Sequence, residues 1–426
     1  MTKNADTLLL TSVRDALPAL YPAAQLDAQY DRYAEILAQF RRSFGDGEIG
    51  FYSAPGRTEV GGNHTDHNHG RVLAAGIDLD AVAAAAKRDG TVIREKSAGH
   101  ALNVVDIASL DPVAEEVGHS SALIRGVCAG FVQRGYKIGA FDAAVASNVL
   151  SGSGLSSSAA YEVLLGTILN YLYNDGKVGA VEIAQIAQYA ENVYFGKPCG
   201  LMDQMASSVS GFVTIDFADP ASPVIEKVDF DFASCAHALC IVNTGGSHND
   251  LTDDYAAVRG EMEAVAAVFG KKVLREVDPA AFYASIGTVR EKVSDRALIR
   301  AMHFFAENER VEAEVNALRQ GDFESFKQTV IDSGYSSYMY NQNVFTAKHP
   351  TDQPVSLALA LSAKLLAGKG AWRVHGGGFA GTIQAFVPLD LLDTYRTQME
   401  AVFGAGSCIA LQIRAQGGIC VAAKKA

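Results

Sequence analysis

Between the strand-like run Phe141–Val149 and a broad apolar stripe, the chain reads Leu150-Ser-Gly-Ser-Gly-Leu-Ser-Ser-Ser-Ala-Ala160. The stripe, made by Ala159, Ala160, Val163, Leu164, Leu165, Ile168, Leu169 and Leu172, has helical spacing. A strand, a glycine-rich turn and a helix therefore meet at residues 152–158. Glycines let a backbone approach a ligand closely, and the start of a helix offers unpaired N–H groups and the positive end of its dipole. The segment reads as a phosphate cradle, in which Ser156, Ser157 and Ser158 add donors and one of them is a candidate magnesium ligand. The competing reading is a Gly/Ser turn capped by serine. Two other nucleotide loops are excluded. No Gly-Lys pair is followed by Ser or Thr, as a Walker loop requires. Gly376-Gly-Gly-Phe-Ala-Gly381 has dinucleotide-fingerprint spacing but runs into Thr382-Ile-Gln-Ala-Phe-Val387, a strand where a helix is needed.

Upstream lies Pro55-Gly-Arg-Thr-Glu-Val-Gly-Gly-Asn-His-Thr-Asp-His-Asn-His-Gly70, dense in hydrogen-bonding side chains. Such crowding suits a sugar, whose hydroxyls need many fixed donors and acceptors. His64, His67 and His69 also invite a zinc reading, against which stand the absence of a thiolate nearby and the plain alternative of solvated loop histidines. Downstream, Glu191-Asn-Val-Tyr-Phe-Gly-Lys-Pro-Cys-Gly-Leu-Met-Asp203-Gln sets two acids on either side of a turn. Lone acids are surface residues as a rule. Two acids with an anion cradle and an arginine are what phosphoryl transfer needs: one carboxylate on a metal, one at the attacking hydroxyl, one cation to offset charge.

The chain has 426 residues, so at ~100–200 residues per domain about two are expected. It is 49% hydrophobic and 20% charged, an ordinary globular balance, and its net charge of −12 disfavours nonspecific binding to nucleic acid. The six cysteines include no C-x-x-C pair, the first residues lack a secretory apolar core, and no run approaches the ~20 apolar residues of a membrane span. A reducing cytoplasm is the expected compartment, with neither nucleic acid nor membrane as partner. Helices are expected over Thr7–Phe44, a short strand ending in a turn near Pro55, one or two buried strands over Val72–Ala86, a helix over Val181–Tyr194 and a helical pair over Asp295–Gln320. The turn-rich run Asp216–Pro223 marks a boundary, giving domains 1–219 and 220–426.

Together these segments resemble the GHMP kinases, and among them the galactokinases. Gly56–Gly70 is similar to the galactokinase signature G-R-x-N-x-I-G-E-H-T-D-Y. Gly154–Ala159 resembles the family's phosphate loop, Cys199–Gln204 its catalytic-acid segment and Gly376–Gly381 its third, glycine-rich motif. The resemblance implies a two-domain α+β fold. An N-terminal mixed-sheet domain and a ferredoxin-like C-terminal domain would flank the active site, with the last segment packing back across the interface. It implies ATP and Mg²⁺ as cofactors and a small sugar, galactose or a close relative, phosphorylated on its anomeric hydroxyl. Asp203 would be the base or orienting partner of that hydroxyl, and Arg57 the cation beside it. Gly152, Gly154, Ser156, Ser157 and Ser158 would cradle phosphates, with Ser158 and Glu191 on magnesium. Asn63, His64, Asp66, Gly200 and Tyr255 fall on sugar-contacting positions, though Tyr255 also suits a plain helix-face aromatic.

The chain departs from the pattern in places. Glu59 stands where the signature has Asn and Asn63 where it has Glu, an exchange that puts a sugar altered at C6, such as galacturonate, beside galactose. The adenine-holding Trp-x-Asn-Tyr of many relatives is here Ser120-Ser-Ala-Leu123, so ATP is inherited from the resemblance. A non-catalytic sugar sensor is the alternative from another class; such sensors can lack part of the serine-alanine stretch, present here at Ser158-Ala159.

Overall fold

A computed structural model describes residues 2–150, 154–246 and 251–423. Gly152 of the cradle lies outside them. The strands are β1 (Gly50–Gly61), β2 (Arg71–Lys87), β3 (Val92–Ser97), β4 (Leu102–Asp106), β5 (Phe141–Ser147), β6 (Phe212–Asp216), β7 (Val224–Val228), β8 (His237–Asn243), β9 (Ala371–Val374), β10 (Thr382–Pro388), β11 (Cys408–Leu411) and β12 (Ile419–Ala423). The larger sheet runs β12-β1-β2-β5-β3-β4, with β6 on the far stretch of β2 and β7 beside it. All its pairings are antiparallel except β3 with β5, so the sheet is mixed.

Strand β2 explains why this sheet is buried on both sides. Ala81, Ala83 and Ala85 point into the cluster built with Leu164, Leu165, Ile168 and Ile186, whereas Val82, Ala84 and Ala86 face Tyr33, Leu37 and Phe40. Helices Thr2–Ala16 and Leu26–Phe44 thus cover one face, and helices Ser120–Gln133, Ser157–Tyr173 and Ala180–Tyr189 the other. A strand between two helical layers has no wet side, which is why its sequence runs apolar without alternation. Alanines dominate it where β1, β2 and β5 lie side by side.

The smaller sheet has order β11-β8-β10-β9, antiparallel throughout. Numbered along the chain this is 4-1-3-2, with helix Leu392–Phe403 between β10 and β11: the ferredoxin-like arrangement. Gly376–Gly381 is the turn between β9 and β10, so the segment after it is a strand and the dinucleotide reading fails on geometry.

Three sequence expectations need correction. Pro55–Gly61 is not loop but the second half of a 12-residue strand, fully buried, in which Thr58 and Glu59 are satisfied by His375, Gln384 and Arg373 from around the smaller sheet. Asp295–Gln320 is one 26-residue helix, not two; its Asn308 and Glu314 are buried polar residues on a packed face, which broke the apolar period. The last strand, β12, packs back onto the larger sheet as the resemblance implied, and β7 joins it from just beyond residue 219. The helix expected over Val181–Tyr194 changes at Ala190 into a π-turn that runs to Phe195.

Candidate active site

The pairing of β1 with β2 breaks register between Pro55 and Arg57 and again between Glu59 and Gly61. A bulge bends a strand and re-aims its side chains. At the first bulge the Arg57 N–H turns away from the ladder and donates to the Leu155 carbonyl at 3.1 Å, tying the phosphate loop to the strand. The guanidinium reaches Asp203, with Nε and Nη2 each 2.8 Å from Oδ1, while Nη1 donates to the Gly154 carbonyl. The Ser156 hydroxyl donates to Asp203 Oδ2. Burial alone would raise the Asp203 carboxyl, but Arg57 and the Ser156 hydroxyl outweigh it and hold it below the usual carboxylate range.

Asp203 sits in the first turn of helix Met202–Val209, and the phosphate loop ends at the N-terminus of helix Ser157–Tyr173. Gly154 has φ +73°, and a Cβ there would lie 3.1 Å from the ring of His375, so glycine serves both conformation and close packing. His375 is buried between Thr58 Oγ1 (3.1 Å) and Thr382 Oγ1 (3.0 Å); burial, with Arg57 close by, depresses it to about 3, so the ring is neutral. The cradle is therefore backed by an uncharged ring and fronted by an arginine.

Three of the residues read as sugar contacts, Asn63, His64 and Tyr255, meet the third glycine-rich segment. His64 Nε2 donates to the Gly377 carbonyl (2.8 Å) and Tyr255 Oη to that of Gly378 (2.9 Å). A Cβ on Gly377 would lie 2.6 Å from the Tyr255 ring, and one on Gly200 would lie 3.1 Å from Asp66 Oδ2. Burial first, and then Glu59, push the Asp66 carboxyl up. His67, for which the sequence offered zinc ligation or a solvated loop position, instead lies behind His64. Its Nε2 is 3.4 Å from His64 Nδ1, and its Nδ1 accepts from Asn68 Nδ2 at 3.0 Å. Asn68 Oδ1 is taken by the Leu274 N–H, so the chain of donors has one consistent direction ending at Gly377.

Asn63 departs from its expected role. It is 0% exposed, and its amide is spent within the protein: Nδ2 donates to Glu59 (2.9 Å) and to the Gly376 carbonyl (2.7 Å), while Oδ1 accepts from Asn343 (2.8 Å) and Ser337 (3.2 Å). Nothing is left to offer a ligand. Glu59 in turn pairs with buried Arg373 at 2.9 Å. The Glu59/Asn63 exchange therefore forms one locally satisfied pair. Ser156 also differs from the plain cradle reading, because its hydroxyl is directed at Asp203.

Glu191 lies in the π-turn, with Oε1 3.0 Å from Lys197 Nζ and Oε2 accepting from Gln204 Nε2 at 2.7 Å. The same Gln204 nitrogen reaches Glu162 Oε2 at 3.0 Å, while Glu162 Oε1 is buried without a hydrogen-bond partner. Burial and the neighbouring Glu191 push Glu162 well above the usual range. Ser158 and Glu162 are one helical turn apart. These all-oxygen donors fit a hard divalent cation. Among the described residues no three His, Cys, Asp or Glu side chains form a closed metal nest.

Sequence reasoning missed Gln204, Glu162, Lys197, His375 and Asn343. Gln204 and Lys197 stand in the quoted acid segment and His375 next to the third glycine-rich motif, and could have been suspected from that; Glu162 and Asn343 carry no local signal.

A sheet of mixed direction joined to a ferredoxin-like sheet, with a glycine-serine cradle opening a helix opposite an Arg–Asp pair, defines a small-molecule kinase of the GHMP class. Residues 122–211 match the GHMP kinase N-terminal domain, and residues 38–87 the galactokinase galactose-binding signature. A galactokinase of Streptomyces coelicolor is 32% identical over 369 residues, 86% of this chain and 92% of that protein. Among solved structures, a Lactococcus lactis galactokinase complexed with galactose superposes with a TM-score of 0.75 at 23% identity, covering 91% of this chain and 99% of that one. A Methanococcus jannaschii mevalonate kinase gives 0.61 at 11% identity, covering 87% and 99%; likenesses at these identities speak for the fold. The chain belongs to the galactokinase family.

Proposed function

We propose that this protein transfers the γ-phosphoryl group of ATP to the anomeric hydroxyl of galactose, giving galactose 1-phosphate and ADP. The observation that carries the reading is the Asp203 carboxylate, held by Arg57 and Ser156 at the phosphate loop. The sugar's anomeric oxygen attacks the γ-phosphorus, the bond from that phosphorus to the β,γ-bridging oxygen breaks, and the hydroxyl proton passes to Asp203. Arg57 keeps Asp203 ionised and lies beside the carbonyl of Gly154, where it offsets charge building on the transferring group. Backbone N–H groups at the start of helix Ser157–Tyr173 bind the phosphates. Ser158 and Glu191 would hold Mg²⁺, which when bound screens the phosphate oxygens.

The test is ADP release from magnesium ATP with galactose, N-acetylgalactosamine, galacturonate, arabinose and glucose. Galactose is expected to lead. The enclosure of Asn63 favours this over a C6-altered sugar, because the exchanged pair does not present its amide to a ligand. If galacturonate leads, the substrate assignment is wrong and the mechanism stands; binding of sugar and ATP without ADP release marks a sensor. Replacing ATP by GTP at saturating sugar checks the nucleotide.

A further inference from the structure

Glu191 differs from every other buried, ion-paired carboxylate among the described residues. Asp80 faces Arg414 and Arg32, Glu59 faces Arg373, Glu307 faces Arg310, and Asp142 faces Arg88 and Arg94; the most exposed of these arginine side chains is 33% accessible. Glu191 is 3% exposed, yet its cation is Lys197, 60% exposed, at 3.0 Å. An arginine fork locked on both sides is built to stay. A lysine is a flexible point charge, and a pair with one partner mostly in water is worth little.

The surroundings say what the lysine is for. Lys197 stands in the irregular stretch between the π-turn and helix Met202–Val209, and its N–H still donates to the Glu191 carbonyl at 3.2 Å, so the side chain is free to swing on a fixed backbone. Burial would lower its ammonium, but Glu191 and then Asp203 hold it above the ordinary value. It touches the carboxylate read as a metal ligand, and its charge also acts on the carboxylate read as the base. A divalent cation arriving at Glu191 would meet the ammonium as a like charge and expel it. The anion then within reach is the phosphate chain over the loop that Asp203 shares with Ser156.

We propose that Lys197 is a displaceable counter-ion: it occupies Glu191 while the site is empty, yields it to the metal, and then turns to the nucleotide's phosphate oxygens. The inference rests on the reading of Glu191 as a metal ligand given above. Its test is Mn²⁺ binding without nucleotide, followed by electron paramagnetic resonance, in the native protein, Lys197→Met, Lys197→Gln and Glu191→Gln. The glutamine at 197 retains a donor for Glu191 in case the methionine variant does not fold. Removing the competing ammonium is expected to tighten Mn²⁺ binding about tenfold in both lysine variants, and to raise the KM for ATP by a similar factor, because the phosphate contact is gone. If Mn²⁺ binds the lysine variants no more tightly than the native protein while Glu191→Gln loses it, the exchange is wrong and the metal assignment stands. If Glu191→Gln binds Mn²⁺ with ADP as the native protein does, the metal assignment has failed and the exchange with it.

Discussion

Two aspartates in the larger sheet's surroundings are built from the same parts and do different things. Asp80 accepts from the Ser53 hydroxyl, from Tyr21 at 2.5 Å and from Arg414 at 2.9 Å on one oxygen, and from Arg32 at 2.6 Å on the other. Asp203 accepts from Arg57 on one oxygen and Ser156 on the other. In both, burial works to raise the carboxyl and the arginine side chains override it, so both lie below the ordinary range. The difference is enclosure: the Asp80 side chain and its Arg414 are 0% exposed, whereas Asp203 is 32% exposed. A carboxylate with every lone pair filled inside the protein holds helices to a sheet. One with a side left open can receive a proton from a guest.

The comparison can be broken most directly at Asp203. Asp203→Ala should lower kcat by about 10³–10⁴-fold, the scale of a lost general base together with its electrostatic role, with a smaller loss of stability than at Asp80 because the site is open to water on one side. Loss of folding instead would mean that the site is structural like its counterpart. Asp80→Ala should do the reverse. It strands Arg414 in the interior and should cost about 3–5 kcal/mol in urea unfolding, while the folded fraction keeps its turnover. Asn63→Glu puts a carboxylate against Glu59 and the Gly376 carbonyl and should cost about 2–3 kcal/mol. Combining it with Glu59→Asn should recover part of the loss, and simple additivity would show that the two positions are not one unit.

The smallest effects are in pH. Because the folded Asp80 is depressed, its stabilisation is complete above the unfolded range near pH ~4 and fades as pH falls through its lower folded value; Asp80→Asn should flatten that acid limb of stability. The acid limb of kcat/KM should likewise lie below the usual carboxylate range, and Arg57→Met should move it upward.

Local signals carried much of the fold and the centre of the site. The cradle, β2 and the catalytic-acid segment are each written in contiguous residues, where period and turn chemistry act. What stayed hidden depends on partners distant in the chain. Polar residues in β1 look like loop until Arg373, Gln384 and His375 are seen to satisfy them from the other sheet. Asn63 reads as a ligand contact until Asn343 and Ser337 are found on its oxygen. Helix Asp295–Gln320 reads as two because Glu307, Asn308 and Glu314 face inward, where Glu307 accepts from the N–H groups of Gly62 and Asn63.

Strand β12 has a consequence for how the molecule is made. Gly50–Ser53 of β1 finish their pairing with Ile419–Ala423, a segment that leaves the ribosome long after them. Until then one side of an almost wholly buried strand is a bare edge, open to strands of neighbouring nascent chains. Helix Thr2–Ala16, which packs against β12 in the finished fold, is made before either strand and can shield that edge during synthesis. Truncated variants that lack the first helix should therefore suffer in yield of native protein before they suffer in catalysis.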